Sequence, residues 1–197
     1  MKKTTIERNS KETSISLELE QLTSTETGSF TGSCQIGFFD HMLTAFCVHG
    51  HFRMNLAMKG DLEVDQHHSL EDLGIVLGQA LRNVLFDDVP RVRYGCALIP
   101  MDEALARCVI DLSGRPYLVN QVSFSTPFIG GFESCMFQEF FYALCMHAGI
   151  TLHLKLEYGL NDHHIAEAAF KAFAHALSDA SQPKSGAVLS TKGLLDS

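Results

Sequence analysis

Two short stretches, "DQHHSLE" (65–71) and "NDHHIAE" (161–167), each place two adjacent histidines ahead of a glutamate. On a helix His67 and Glu71 are four residues apart and share a face, as do His163 and Glu167. Neighbouring helical residues point about 100° apart, so His68 and His164 face away from the histidines before them. Such a pair suits two ions, one on either side, better than a single ion. Imidazole and carboxylate without thiolate favour hard-to-borderline divalent metals: Mn, Fe, Co, Ni or Zn. An octahedral ion with four protein ligands would keep two positions open for substrate or water. A lone surface histidine pair is ordinarily a solvated polar feature. Two copies with the same glutamate spacing argue instead for metal ligation.

The copies lie 96 residues apart, about half of the 197-residue chain. Upstream, "DHMLTAFCVHG" (40–50) aligns with "QEFFYALCMHA" (138–148) at an offset of 98, matching Ala45 to Ala143, Cys47 to Cys145 and His49 to His147. Helix periodicity would match apolar positions but not these residues together, so the chain reads as a tandem duplication. The alignment sets His41 opposite Glu139 and adds both to the candidate ligands. His49, His51, His147, His153 and His175 lack the HHxxE context and are expected in surface or hydrogen-bonded core positions.

Each repeat needs elements that position these groups. The alternating segments 13–20 and 106–113 read as strands, and 52–60 and 150–158 as further extended segments. Helices are expected around 39–49 and 133–148, and from each HHxxE onward. Leu70, Leu73, Leu77, Leu81 and Val84 form one apolar stripe, and Ala166, Phe170, Phe173 and Leu177 another. The expected fold is α+β: two duplicated halves, about 1–95 and 96–197, each a β-sheet covered by two helices, forming a single domain.

Composition narrows the partners. Net charge is −8 and no Lys/Arg cluster stands out, which argues against nucleic acid and anionic membranes. No apolar run reaches the roughly 18 residues that span a bilayer. The lysines at the start precede no apolar stretch, so no secretory signal is read and the cytoplasm is the expected location. Six cysteines without a CxxC pair read as small buried hydrophobes in a reducing compartment. Arg93 and Arg115 each adjoin a glycine near a strand end, Lys171 lies one turn beyond Glu167, and "SGAVLSTKGLL" (185–195) could close over an oxyanion. Spacing alone leaves phosphate binding as one possibility for them beside solvated surface charge.

In order along the chain, "RNSKETSISLEL", "GFFDHML", "DQHHSLEDLGIVLGQAL", "RYGCALIPMDEAL", "DLSGRPYL", "TLHL", "NDHHIAEAAFKAFAHAL" and "STKG" resemble the imidazoleglycerol-phosphate dehydratase family. The resemblance implies a duplicated fold of the ribosomal protein S5 domain 2 type, two Mn2+ ions per active site, and a homo-oligomer of 24 subunits with sites at subunit contacts. It implies His41, His67, His68, Glu71, His163, His164 and Glu167 as ligands. Glu139 stands where many relatives have a histidine and is retained as a carboxylate ligand. Arg93, Arg115, Lys171, Ser190 and Lys192 are implied phosphate contacts, and Glu12 an active-site acid or base. The implied activity is dehydration of imidazoleglycerol phosphate to imidazole acetol phosphate in histidine biosynthesis. A metal-bound imidazolate would expel hydroxide, and proton transfer by Glu12 or Glu167 would complete the elimination of water. Three further departures accompany the match: Ala45 replaces a common glutamine, Leu189 a common proline, and 20–35 is unlike the usual glycine-rich turn. Two other functions fit the histidines, a two-metal phosphate hydrolase and a non-catalytic metal-storing shell.

Overall fold

A computed structural model describes residues 2–184. The first repeat runs β1 (Lys3–Asn9), β2 (Thr13–Gln21), β3 (Ser29–Ser33), α1 (Gly37–Gly50), β4 (Phe52–Gly60) and α2 (His67–Leu85). The second runs β5 (Tyr94–Met101), β6 (Ala104–Asp111), β7 (Tyr117–Gln121), a small hairpin of β8 (Phe128–Ile129) and β9 (Phe132–Glu133), α3 (Met136–Ala148), β10 (Thr151–Tyr158) and α4 (Asp162–Ser181). The two sheets have the same design. Strand order is β1-β2-β4-β3 in one and β5-β6-β10-β7 in the other, and in each sheet the third strand in chain order pairs parallel with the fourth. The expected duplicated α+β fold is therefore present. β6 lies two residues earlier than expected, and α3 starts three residues later and ends where expected.

Strand alternation explains the layering. Thr13, Ile15, Leu17 and Leu19 are buried while their neighbours face outward, and Ala104, Ala106, Cys108 and Ile110 do the same in the second sheet. The helices cover these inner faces and meet one another in the middle, α2 against α3 and α1 against α4. Both apolar stripes are fully interior. Phe39, Phe140 and Phe170 bring three helices together, with ring centroids 4.8–6.0 Å apart. Gly74 and Gly78 let α2 approach α3 closely: a Cβ at either would lie 2.6 Å from a carbonyl oxygen, of Phe140 or of Leu144. Four cysteines are buried, whereas Cys96 lies on the outward side of β5 and Cys135 caps α3.

Candidate metal and substrate site

The helices that carry HHxxE begin in equivalent ways. Asp65 Oδ1 accepts from the backbone N–H of His67 at 2.8 Å, and Asn161 Oδ1 from that of His163 at 2.9 Å. These caps satisfy first-turn donors and fix where each histidine pair leaves the helix. The paired rings diverge as helix geometry requires, with centroids 6.2 Å apart at His67/His68 and 6.1 Å at His163/His164.

Three of the eight expected metal ligands converge. His41 on α1 and His163 and Glu167 on α4 offer ligand atoms all within 4.8 Å of one another, the one such group among the described residues. Glu167 Oε2 lies 3.5 Å from His41 Nε2 and 3.4 Å from His163 Nε2. A divalent ion with N and O ligands at about 2.1 Å spaces them about 3–4 Å apart, so the donor set fits such an ion after a small contraction. Lys171 Nζ holds the other oxygen of Glu167 at 2.7 Å. Burial pushes the Glu167 carboxyl up, but Lys171 and His41 together hold it below its usual range.

The first repeat offers a looser counterpart. His67 Nε2 is 3.4 Å from Glu71 Oε2, with both side chains about half exposed. Glu139, half-buried on α3, is not brought together with them. The second histidine of each pair is oriented by a carboxylate. His68 Nδ1 lies 3.0 Å from Asp61 Oδ2 and His164 Nδ1 lies 2.7 Å from Glu103 Oε2. A carboxylate accepts only, so each Nδ1 donates, and each Nε2 lies near a second carboxylate, Glu12 for His68 at 3.8 Å and Asp102 for His164 at 3.5 Å. Metal-bound histidines are ordinarily held in this way. The contacts raise both histidines above their usual pKa and bring Glu103 down to about 2. Glu12, exposed on the turn between β1 and β2, has Oε1 3.8 Å from His68 Nε2.

The expected phosphate contacts are dispersed. Arg93 donates through Nε and Nη2 to both oxygens of Asp111, at 2.7 and 3.1 Å, and exposed Arg115 lies 3.9 Å from the same carboxylate. Lys171 pairs with Glu167 on the same helix. Ser190 and Lys192 lie outside the described residues. Sequence reasoning missed Asp61, Asp111 and Glu103. One signal could have found Glu103: it directly precedes β6, as Glu12 directly precedes β2. Of the remaining histidines, His51 and His147 bond backbone carbonyls through Nδ1, while His49 and His175 lie ring to ring at 5.1 Å.

A family model described as imidazoleglycerol-phosphate dehydratase matches residues 34–177. The enzyme of that name from Methanosphaerula palustris is 50% identical over 197 residues, covering 99% of this chain and 100% of the relative. That from Roseobacter denitrificans is 48% identical over 198 residues, covering 99% and 100%. The crystal structure of imidazoleglycerol-phosphate dehydratase from Staphylococcus aureus superposes with a TM-score of 0.83 at 38% identity, covering 93% of this chain and 100% of that one. With repeats, fold and end-to-end similarity in agreement, the chain belongs to the imidazoleglycerol-phosphate dehydratase family, hydro-lyases of histidine biosynthesis.

Proposed function

We propose that this chain is a metal-dependent dehydratase that eliminates water from imidazoleglycerol phosphate to give imidazole acetol phosphate, with two Mn2+ ions per active site. The observation that carries the metal dependence is the convergence of His41, His163 and Glu167 on one point. His67, His68, Glu71, Glu139 and His164 complete the proposed ligand set. When bound, the ions would supply Lewis acidity that eases loss of the ring N–H proton, so that the ring could donate electrons as the neighbouring hydroxyl leaves. The chain's own groups bind, orient and move protons. Glu167 is committed to His41, His163 and Lys171, which leaves Glu12 to take the proton from the carbon next to the one that loses hydroxide. Arg93, Arg115, Lys171, Ser190 and Lys192 anchor the phosphate and so fix which carbon faces Glu12.

Three donors in one group and two in the other under-fill ions that take four to six ligands. A second subunit would complete each set, which supports sites at subunit contacts; the homo-oligomer of 24 subunits is proposed from the family resemblance. We assign the 197 residues to one dehydratase domain acting in the cytoplasm. No helix among the described residues is long and apolar enough to cross a membrane.

The deciding experiment is exhaustive chelation followed by product analysis. Turnover should vanish on chelation and return with Mn2+, with water lost and phosphate retained in the product. Full activity after chelation would refute metal dependence, and release of inorganic phosphate would refute dehydration.

A further inference from the structure

Beneath the turn that carries Glu12 lies a polar cluster with no counterpart among the described residues of the second repeat. Thr13 and Asp72 are 3% and 6% exposed. Thr13 Oγ1 donates to Asp72 Oδ2 at 2.5 Å, and Arg8 Nη2 reaches Asp72 Oδ1 at 2.9 Å. Above them, Ser10 Oγ accepts from the backbone N–H of Glu12 at 3.1 Å and of Thr13 at 2.9 Å, and Ser10 N donates to Thr13 O at 2.8 Å. Asp72 directly follows Glu71 on α2. One carboxylate therefore links a metal-ligand helix to the root of the Glu12 turn.

The second repeat solves the same packing problem without polar groups. The pairing of Arg8 with Ile15 corresponds to that of Ile99 with Ala106, which sets Arg8 opposite Ile99 and Thr13 opposite Ala104. The HHxxE alignment sets Asp72 opposite Ala168. Ala104 and Ala168 are fully interior. An apolar trio thus supports the same strand order and the same helix, and burying a carboxylate and a hydroxyl there is costly unless both are bonded. The fold does not need the polar set. The carboxylates on the two turns differ in a matching way. Glu103 is held at its head by Leu160 N, Asn161 N and His164, whereas the head of Glu12 is exposed.

We propose that Asp72 is a positioning residue which, through Thr13 and Arg8, fixes the root of Glu12 while leaving its carboxylate free to exchange protons. This rests on the reading of Glu12 as the proton-transfer group. Such a group gains from a fixed origin because a misplacement of about 1 Å can cost roughly a hundredfold in rate.

The test is a mutant cycle with Glu12→Gln, reading kcat, KM and bound metal. Thr13→Val should lower kcat by roughly 10–100-fold with KM and metal content nearly unchanged, and Thr13→Ser should restore most of the rate. In the Glu12→Gln background Thr13→Val should add less than about a twofold loss, because groups acting as a unit are non-additive. Ser10→Ala, in the exposed turn, gives the same comparison should Thr13→Val fail to fold. Normal kcat in Thr13→Val or Ser10→Ala beside an impaired Glu12→Gln, or losses that multiply in the double variant, would overturn the positioning role. Full turnover by Glu12→Gln would instead remove the proton-transfer reading itself.

Discussion

Lys171 and Glu167 meet at 2.7 Å, one turn apart on α4, and this contact separates the two half-sites. The position matching Lys171 in the first repeat is Ile75, and there Glu71 is about half exposed. The ammonium does for Glu167 what a metal ion would also do: it neutralises a carboxylate that is largely buried.

Lys171→Met is therefore expected to destabilise metal-free protein by about 2–4 kcal/mol, because a buried charge loses its partner. Added Mn2+ should narrow the gap to wild type, since the ion becomes the counter-charge. Denaturant melts with and without metal check this, and an equal gap in both conditions would contradict it.

His163→Ala and His67→Ala should each remove one ion by metal analysis, leaving the other in place. Turnover should fall by at least about a hundredfold in either case, because a metal-assisted reaction loses a stabilising charge at the reacting atoms. Loss of both ions from a single substitution would mean that the two ligand groups are not independent.

Arg93 and Arg115 share Asp111 but should respond differently. Arg115 is 60% exposed, so Arg115→Ala should raise KM roughly tenfold or more with stability within about 0.5 kcal/mol of wild type. Arg93 is mostly buried, and its backbone pairs with Ala180 and Leu112. Arg93→Ala should raise KM and also lower the melting temperature. Steady-state kinetics alongside thermal melts separate the two.

Asp162, at the first turn of α4, accepts from the backbone and hydroxyl groups of both Ser125 and Thr126. Burial pushes its carboxyl up, but these donors outweigh it and hold the group below its usual range. A carboxyl depressed in the folded state stabilises above its unfolded pKa, and that stability is lost as pH falls through the folded value. Asp162→Asn should cost about 2–3 kcal/mol at pH 7, and the gap to wild type should close under acid conditions below the usual aspartate range. Urea melts of the metal-free protein across pH check both the size and the sign.

The four helices and the two central strands of each sheet were legible because their signals are local. Leu70, Leu73 and Leu77 mark a helix face by spacing alone, and the repeat of HHxxE shows that the chain is doubled. That alignment and the family resemblance made His41 a candidate, and it does meet His163 and Glu167. What stayed hidden arises from chain segments that meet in space. Asp61 reaches His68 across the loop between β4 and α2, and Glu103 reaches His164 from 61 residues away. No spacing rule announces the Asp61 contact, and only the matched place of Glu103 and Glu12 ahead of their strands hints at the other. The strand β3 (Ser29–Ser33) was missed because "SFTGS" has little apolar alternation, and it is held by parallel pairing with β4.

The glycine-lined contact between α2 and α3, and the phenylalanines beside it, carry an evolutionary corollary. Severed near residue 90, either piece would present its greasiest slab to water and would persist only by finding its other half. Once the ancestral gene had doubled and these surfaces had moulded to each other, there was no easy road back to a half-length ancestor. The twin segments were then free to specialise, one bearing Lys171 where its sibling has Ile75.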